Sequence, residues 1–98
     1  MTRRLSLRRE AQLDIRDAAN WYNNAHAGLG TEFTRAVRAF MARIEREPAH
    51  FAFADTEVRR ALLRRFPYAV YFIVDDASVI VLACLHVRRD PSVWESRR

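Results

Sequence analysis

Apolar residues recur at helical spacing in the first half of the chain and at strand spacing in the second. Ala11, Ile15, Ala18, Ala19 and Tyr22 share one side of a helical projection, which predicts a helix over 9–25. Three of those five are alanines, so this helix can approach its neighbour closely. A second stripe of Phe33, Val37, Phe40, Met41 and Ile44 predicts a helix over 31–47. Arg35, Arg38 and Arg46 lie on its far side, and Pro48 ends it. Gly28 and Gly30 stand between the two stripes, where the chain must reverse in a tight turn. Thr31 or Gly30 is the expected cap of the second helix, and Glu32 suits its positive end. The two stripes therefore read as an αα-hairpin.

The period then changes. Residues 48–57 read as a loop, with Phe51 and Phe53 expected to tuck under the core. Strands are predicted at 58–65, 68–74 and 79–86, with Pro67 interrupting the first two and Asp75 to Ser78 marking a hairpin turn. A short strand is expected at 3–7. The order β-α-α-β-β-β is an α+β fold, a helical hairpin packed on one face of a mostly antiparallel sheet. Alternation places Tyr68, Val70, Phe72 and Val74 on one side of their strand and Tyr71 and Ile73 on the other. In the last strand it sets Val79, Val81 and Leu85 against Ile80, Leu82 and Cys84. Both sheet faces are thus apolar, yet two helices cover one. The second face needs the Phe51/Phe53 loop, the tail around Trp94, or another chain.

Charge sharpens this picture. The 98 residues carry a net charge of +5, and all seventeen basic residues are arginine. Twelve of them fall in doublets, among them Arg59-Arg60, Arg64-Arg65 and Arg88-Arg89. Arginine presents a permanently charged planar fork to carboxylates and phosphates, so the surface suits an acidic protein or a nucleic acid. The arginines at 59–65 read either as a charged edge strand that resists aggregation or as a clamp for a partner's carboxylates. One cysteine excludes an internal disulfide and a cysteine-based metal site. The three histidines show no ligand spacing, so neither metal nor cofactor is expected. The longest apolar run, 79–85, is too short to span a bilayer, and no secretory signal precedes the first strand. A single cytoplasmic domain over 1–98 with no membrane role is the expectation.

Several segments then combine: Ala19-Asn20-Trp21-Tyr22, Gly28-Leu29-Gly30 followed by Glu32-Phe33, Arg43 to Pro48, Val58 to Phe72, and His86 to Pro91. In this order they resemble the ParE/RelE superfamily of toxins from type II toxin–antitoxin systems, over nearly the whole chain. The resemblance implies the fold already read from the pattern. It implies an acidic antitoxin whose C-terminal segment wraps the toxin, and it makes direct DNA binding without that antitoxin unexpected. RelE-like members cleave mRNA on the ribosome; ParE-like members poison DNA gyrase. RelE-like toxins place an Arg after a strand Tyr and a Tyr near the C-terminus. Here Ala69 follows Tyr68 and Trp94 takes the late position, so the chain sits closer to the ParE-like side.

Candidate residues follow from both readings. Arg59, Arg60, Arg64, Arg65, Arg88, Arg89 and Trp94 are the expected contacts for antitoxin or target. Were the chain a nuclease, His86, Arg88 and Arg65 would be the catalytic candidates, with His86 as the base. The alternatives to a gyrase poison are a RelE-like mRNA interferase and a non-toxic relic that is only bound by its antitoxin in autorepression.

Overall fold

The structure is a computed structural model describing residues 3–98. The first two residues of the domain expected over 1–98 lie outside the described residues. A first strand, β1 (Arg4–Leu7), leads into helix α1 (Arg9–Ala25) and helix α2 (Leu29–Arg46). A single 3₁₀ turn at Pro48–His50 follows. Strands β2 (Val58–Leu62), β3 (Tyr68–Val74) and β4 (Ser78–His86) come next, then a short helix α3 (Ser92–Glu95) that the apolar pattern did not predict. The sheet order is β1-β4-β3-β2, antiparallel except for the β1–β4 pair. The α+β architecture is the one expected.

The second helix of the hairpin begins two residues earlier than the pattern suggested. Gly28 adopts φ +89°, the left-handed conformation that glycine takes without strain, and α2 starts at Leu29. The expected cap at Gly30 or Thr31 is therefore corrected. Gly30 lies inside the first turn, and its N–H donates to the Asn23 side-chain oxygen of α1 at 2.8 Å. A helix start leaves backbone N–H groups without intrahelical partners, and here the neighbouring helix supplies one acceptor. A Cβ at Gly30 would collide with the Ala19 carbonyl oxygen and the Asn23 side chain, so the two backbones meet there.

The predicted strand 58–65 ends at Leu62. The Leu63 N–H donates to the Tyr68 carbonyl, and residues 63–67 form the reversal, with Pro67 restricting the residue before it. Tyr68, Val70, Phe72 and Val74 face the helices as predicted, with Val79 and Val81 beside them. Further along β4 the alternation is corrected. A bulge opposite Tyr71 and Phe72 inserts one residue, so Leu82 and Ala83 both turn from the helices. Beyond it Cys84, not Leu85, joins the helix-side core.

The second sheet face is covered by the chain itself. Val58, Ala69, Tyr71, Leu82, Ala83 and Leu85 pack there beneath α3, whose Trp94 is 5% exposed and stacks on Tyr71 at 5.1 Å between ring centroids. Arg97 anchors this segment to Asp14 of α1, with the closest N–O distance 2.6 Å, and donates to the Leu82 carbonyl. Arg98 pairs with Asp55 and Glu57. Of the two loop phenylalanines, Phe51 packs against the helix-side core. Phe53 stays 57% exposed, under the Arg59 guanidinium, which corrects the expectation that both are tucked away.

Candidate partner-binding site

Strand β2 forms one edge of the sheet, and its arginines divide between the two faces. The Arg59 side chain donates to the Phe51 carbonyl at 2.6 Å and lies 3.9 Å over the Phe53 ring. Arg60, opposite Tyr71 in the ladder, donates its Nε–H to the Tyr71 hydroxyl at 3.2 Å on the face that α3 covers. Past the strand end, Arg65 pairs with Glu32 in the first turn of α2 at 2.8 Å and lies over Phe66. Arg64 is exposed and makes no side-chain hydrogen bond or ion pair among the described residues. The same holds for Arg88 and Arg89 after β4. These three guanidinium groups are held by no carboxylate among the described residues.

Two grooves flank this edge. One lies between α2 and the turn after β2, with Ala36, Phe40 and Leu63 as its floor and Arg43 and Arg64 at its rim. The other opens on the α3 side of the sheet, where Phe53, Val87 and Trp94 meet Arg60 and Arg89. Glu95 adds one carboxylate to the second groove, and apolar floors with mainly cationic rims suit a partner that alternates apolar and acidic side chains.

The nuclease candidates are placed differently. His86 stands on the helix side of β4, its ring 5.4 Å from Tyr68, and its Nδ1 accepts the backbone N–H of Arg88. Arg60 and Tyr71 lie on the other face. Arg65 is paired at the start of α2, and Arg88 points into solvent. No hydrogen bond or ion pair joins the His86, Arg88 and Arg65 side chains among the described residues. Burial raises the Tyr68 hydroxyl above its ordinary pKa, with Tyr22 and Cys84 adding to the rise and Arg89 opposing it. Tyr68 is thereby made a poorer proton donor at neutral pH. No group of three or more His, Cys, Asp or Glu side chains that could hold a metal ion occurs among the described residues. No described helix is long and apolar enough to cross a membrane.

Residues 5–91 match the family model described as the ParE toxin of the type II toxin–antitoxin system parDE. The chain belongs to the ParE toxin family. Its fold recurs in a solved structure described as the chromosomal ParDE TA system from P. aeruginosa, with a TM-score of 0.79 and 16% sequence identity. The match covers 87% of this chain and 96% of that one. A search among curated proteins returns no match. In this ParE-type toxin, Trp94 covers the toxin's own sheet. Arg60 of β2, and Arg64 and Arg65 of the turn that follows it, line the grooves.

The Asp14–Arg97 pair escaped the sequence reading. Asp14 is a single charged residue at the margin of the apolar stripe, three after Ala11 and four before Ala18, and Arg97 is the first half of an arginine doublet. Their 83-residue separation leaves no local signal.

Proposed function

We propose that this ParE-type toxin acts by binding, that its target is DNA gyrase, and that an antitoxin neutralises it through an acidic, apolar segment laid on the arginine-rimmed surface. The observation that carries this reading is the separation of His86 from Arg60 and Arg65; of the site arginines, Arg89 lines the small pocket that His86 and Tyr68 share. His86 packs against Tyr68 on the helix side, while Arg60 lies on the opposite face with Tyr71 and the buried Trp94. RNA cleavage through a 2′-hydroxyl needs a base, an acid and a cation converging on one phosphate. Lack of one group that stabilises developing charge typically costs roughly 10²–10³ in rate. Lack of a proton-transfer group costs about 10²–10⁴ more. Binding needs no such convergence, only complementary charge and shape.

Purified toxin assayed in parallel against gyrase supercoiling and against mRNA in programmed ribosomes tests the proposal. The expected result is inhibited supercoiling, relieved by the antitoxin, with intact mRNA. Codon-specific cuts that vanish in His86→Ala or Arg88→Ala would overturn it in favour of an interferase.

A further inference from the structure

A cleft of about 240 Å³ opens between the second half of α1 and the ends of β3 and β4. Asp17 and Trp21, one helical turn apart, stand on the α1 wall; Tyr68, His86 and Arg89 stand on the other. Trp21 is 64% exposed, the most of any large apolar side chain among the described residues. Its ring meets Tyr22 edge to face at 5.1 Å between centroids, and indole surface stays open to the cleft. The polar groups are unspent. The Asp17 carboxylate, the Tyr68 hydroxyl and the Arg89 guanidinium have no hydrogen bond or ion pair among the described residues. His86 accepts the Arg88 N–H on Nδ1, which leaves the Nε2 proton to donate elsewhere. Asp14, beside them, is already held by Arg97. Asp17 and Arg89 thus carry opposite charges on facing walls and do not join. An exposed indole adds little to the core, so stability alone does not account for this set.

We propose that the cleft binds a guanine mononucleotide, with the base against Trp21, its N–H edge on Asp17 and its phosphate on Arg89. Each part follows from the chemistry of one side chain. A base stacks on an indole whatever its identity, so Trp21 supplies affinity without choice. A carboxylate only accepts hydrogen bonds, so Asp17 selects an edge with two adjacent donors. Guanine offers that pair, its ring N–H beside its amino group. Adenine and cytosine set a ring acceptor beside theirs. The Tyr68 hydroxyl and the His86 Nε2–H are donors for the base carbonyl and the ribose. The cleft is smaller than the sites that enclose drug-sized ligands, so it takes the base and leaves the phosphate at its mouth. There the Arg89 fork suits phosphate oxygens, and a net charge of +5 draws the anion in. The site does not depend on the gyrase reading. Of its residues, Arg89 alone also lines the groove on the α3 side.

Titration of the free toxin with GMP and with AMP, followed by indole fluorescence and backbone amide chemical shifts, tests the proposal. Trp94 is buried on Tyr71, so the exposed Trp21 reports. GMP is expected to quench it, with shifts confined to residues 17–21, 68 and 84–89, and to bind about tenfold or more tighter than AMP. Asp17→Asn is expected to weaken GMP about tenfold and to erase the preference over AMP. Arg89→Gln is expected to weaken GMP about fivefold and to leave guanosine unchanged. Neither side chain bonds within the described residues, so both variants are expected to keep the parent melting temperature. Equal binding of GMP and AMP overturns the guanine assignment. Shifts spread over the other arginine doublets mean charge attraction alone and overturn the site, as does the absence of any shift at millimolar GMP. Tighter binding of a single-stranded trinucleotide with a central guanine overturns the free mononucleotide as occupant.

Discussion

The Asp14 carboxylate accepts from two places at once, the Arg97 guanidinium and the Cys84 backbone N–H at 3.0 Å. Both charged side chains are largely buried, 13% and 16% exposed. Asp14→Ala leaves a backbone donor and a guanidinium without their acceptor. Arg97→Ala leaves Asp14 still bonded to Cys84. Removing one member of a buried pair costs about 3–5 kcal/mol when the other stays trapped. The long Arg97 side chain, already partly exposed, can turn its guanidinium into water, so a loss of about 2–3 kcal/mol is expected for Asp14→Ala. A smaller loss is expected for Arg97→Ala. Urea unfolding of the two variants checks the order. Cys84 itself is pushed up to about 12, first by burial and then by the Asp14 carboxylate. Burial also raises Tyr22 and Tyr68. Each group then binds its proton more tightly when folded than when unfolded. The resulting stability is intact below the unfolded thiol value near 9 and is lost as pH climbs towards 12. Melting temperatures are expected to hold to about pH 9 and then fall. Thiol reagents at pH 8 should label Cys84 only on unfolding.

At the scale of elements, the contact between α1 and α2 turns on a residue without a side chain. Gly30→Ala forces a methyl group into the Ala19 carbonyl oxygen, part of a helix backbone that cannot rotate away. Overpacking of this kind costs about 1–3 kcal/mol, read as a lowered urea midpoint with an unchanged slope. Both helices were legible because their apolar stripes repeat at 3.6 residues, and β3 because its run is rich in β-branched and aromatic residues. The facing of β4 was legible only as far as Leu82. The bulge at Leu82 and Ala83 inserts a residue without changing residue type, so alternation read from the chain carries the wrong phase to Leu85. Helix α3 escaped for a related reason. Four residues are too few for a helical period, and its stability comes from Trp94 lying on Tyr71 and from Arg97 reaching Asp14. The arginines of the candidate site were visible as doublets. Which of them are spent within the chain was not, because the partners Glu32 and Tyr71 come from other elements.

Over the whole molecule, the cationic surface governs association more than stability. Arg64 makes no ion pair among the described residues, and Arg60 bonds only to a hydroxyl. The double variant Arg60→Gln with Arg64→Gln is expected to fold normally. It should bind antitoxin more weakly and show a shallower dependence of affinity on salt, measured by calorimetry between low and physiological ionic strength. An unchanged affinity at both would mark these arginines as solvated surface. The parallel pairing of β1 with β4 has a different bearing, on synthesis. Arg4 lies opposite Ser78, and Leu7 opposite Val81. Of the described strands, the first to leave the ribosome, β1, therefore waits for β4, and α1 packs on β4 as well. The β2–β3 hairpin joins near neighbours and forms its contacts early, whereas closing the sheet brings together residues from the two ends of the chain. A nascent chain stopped before residue 78 consequently lacks both the partner of β1 and the floor beneath α1. Early nonsense codons are thus expected to abolish the fold outright, and with it any harm the protein does, rather than to yield a graded, weaker toxin.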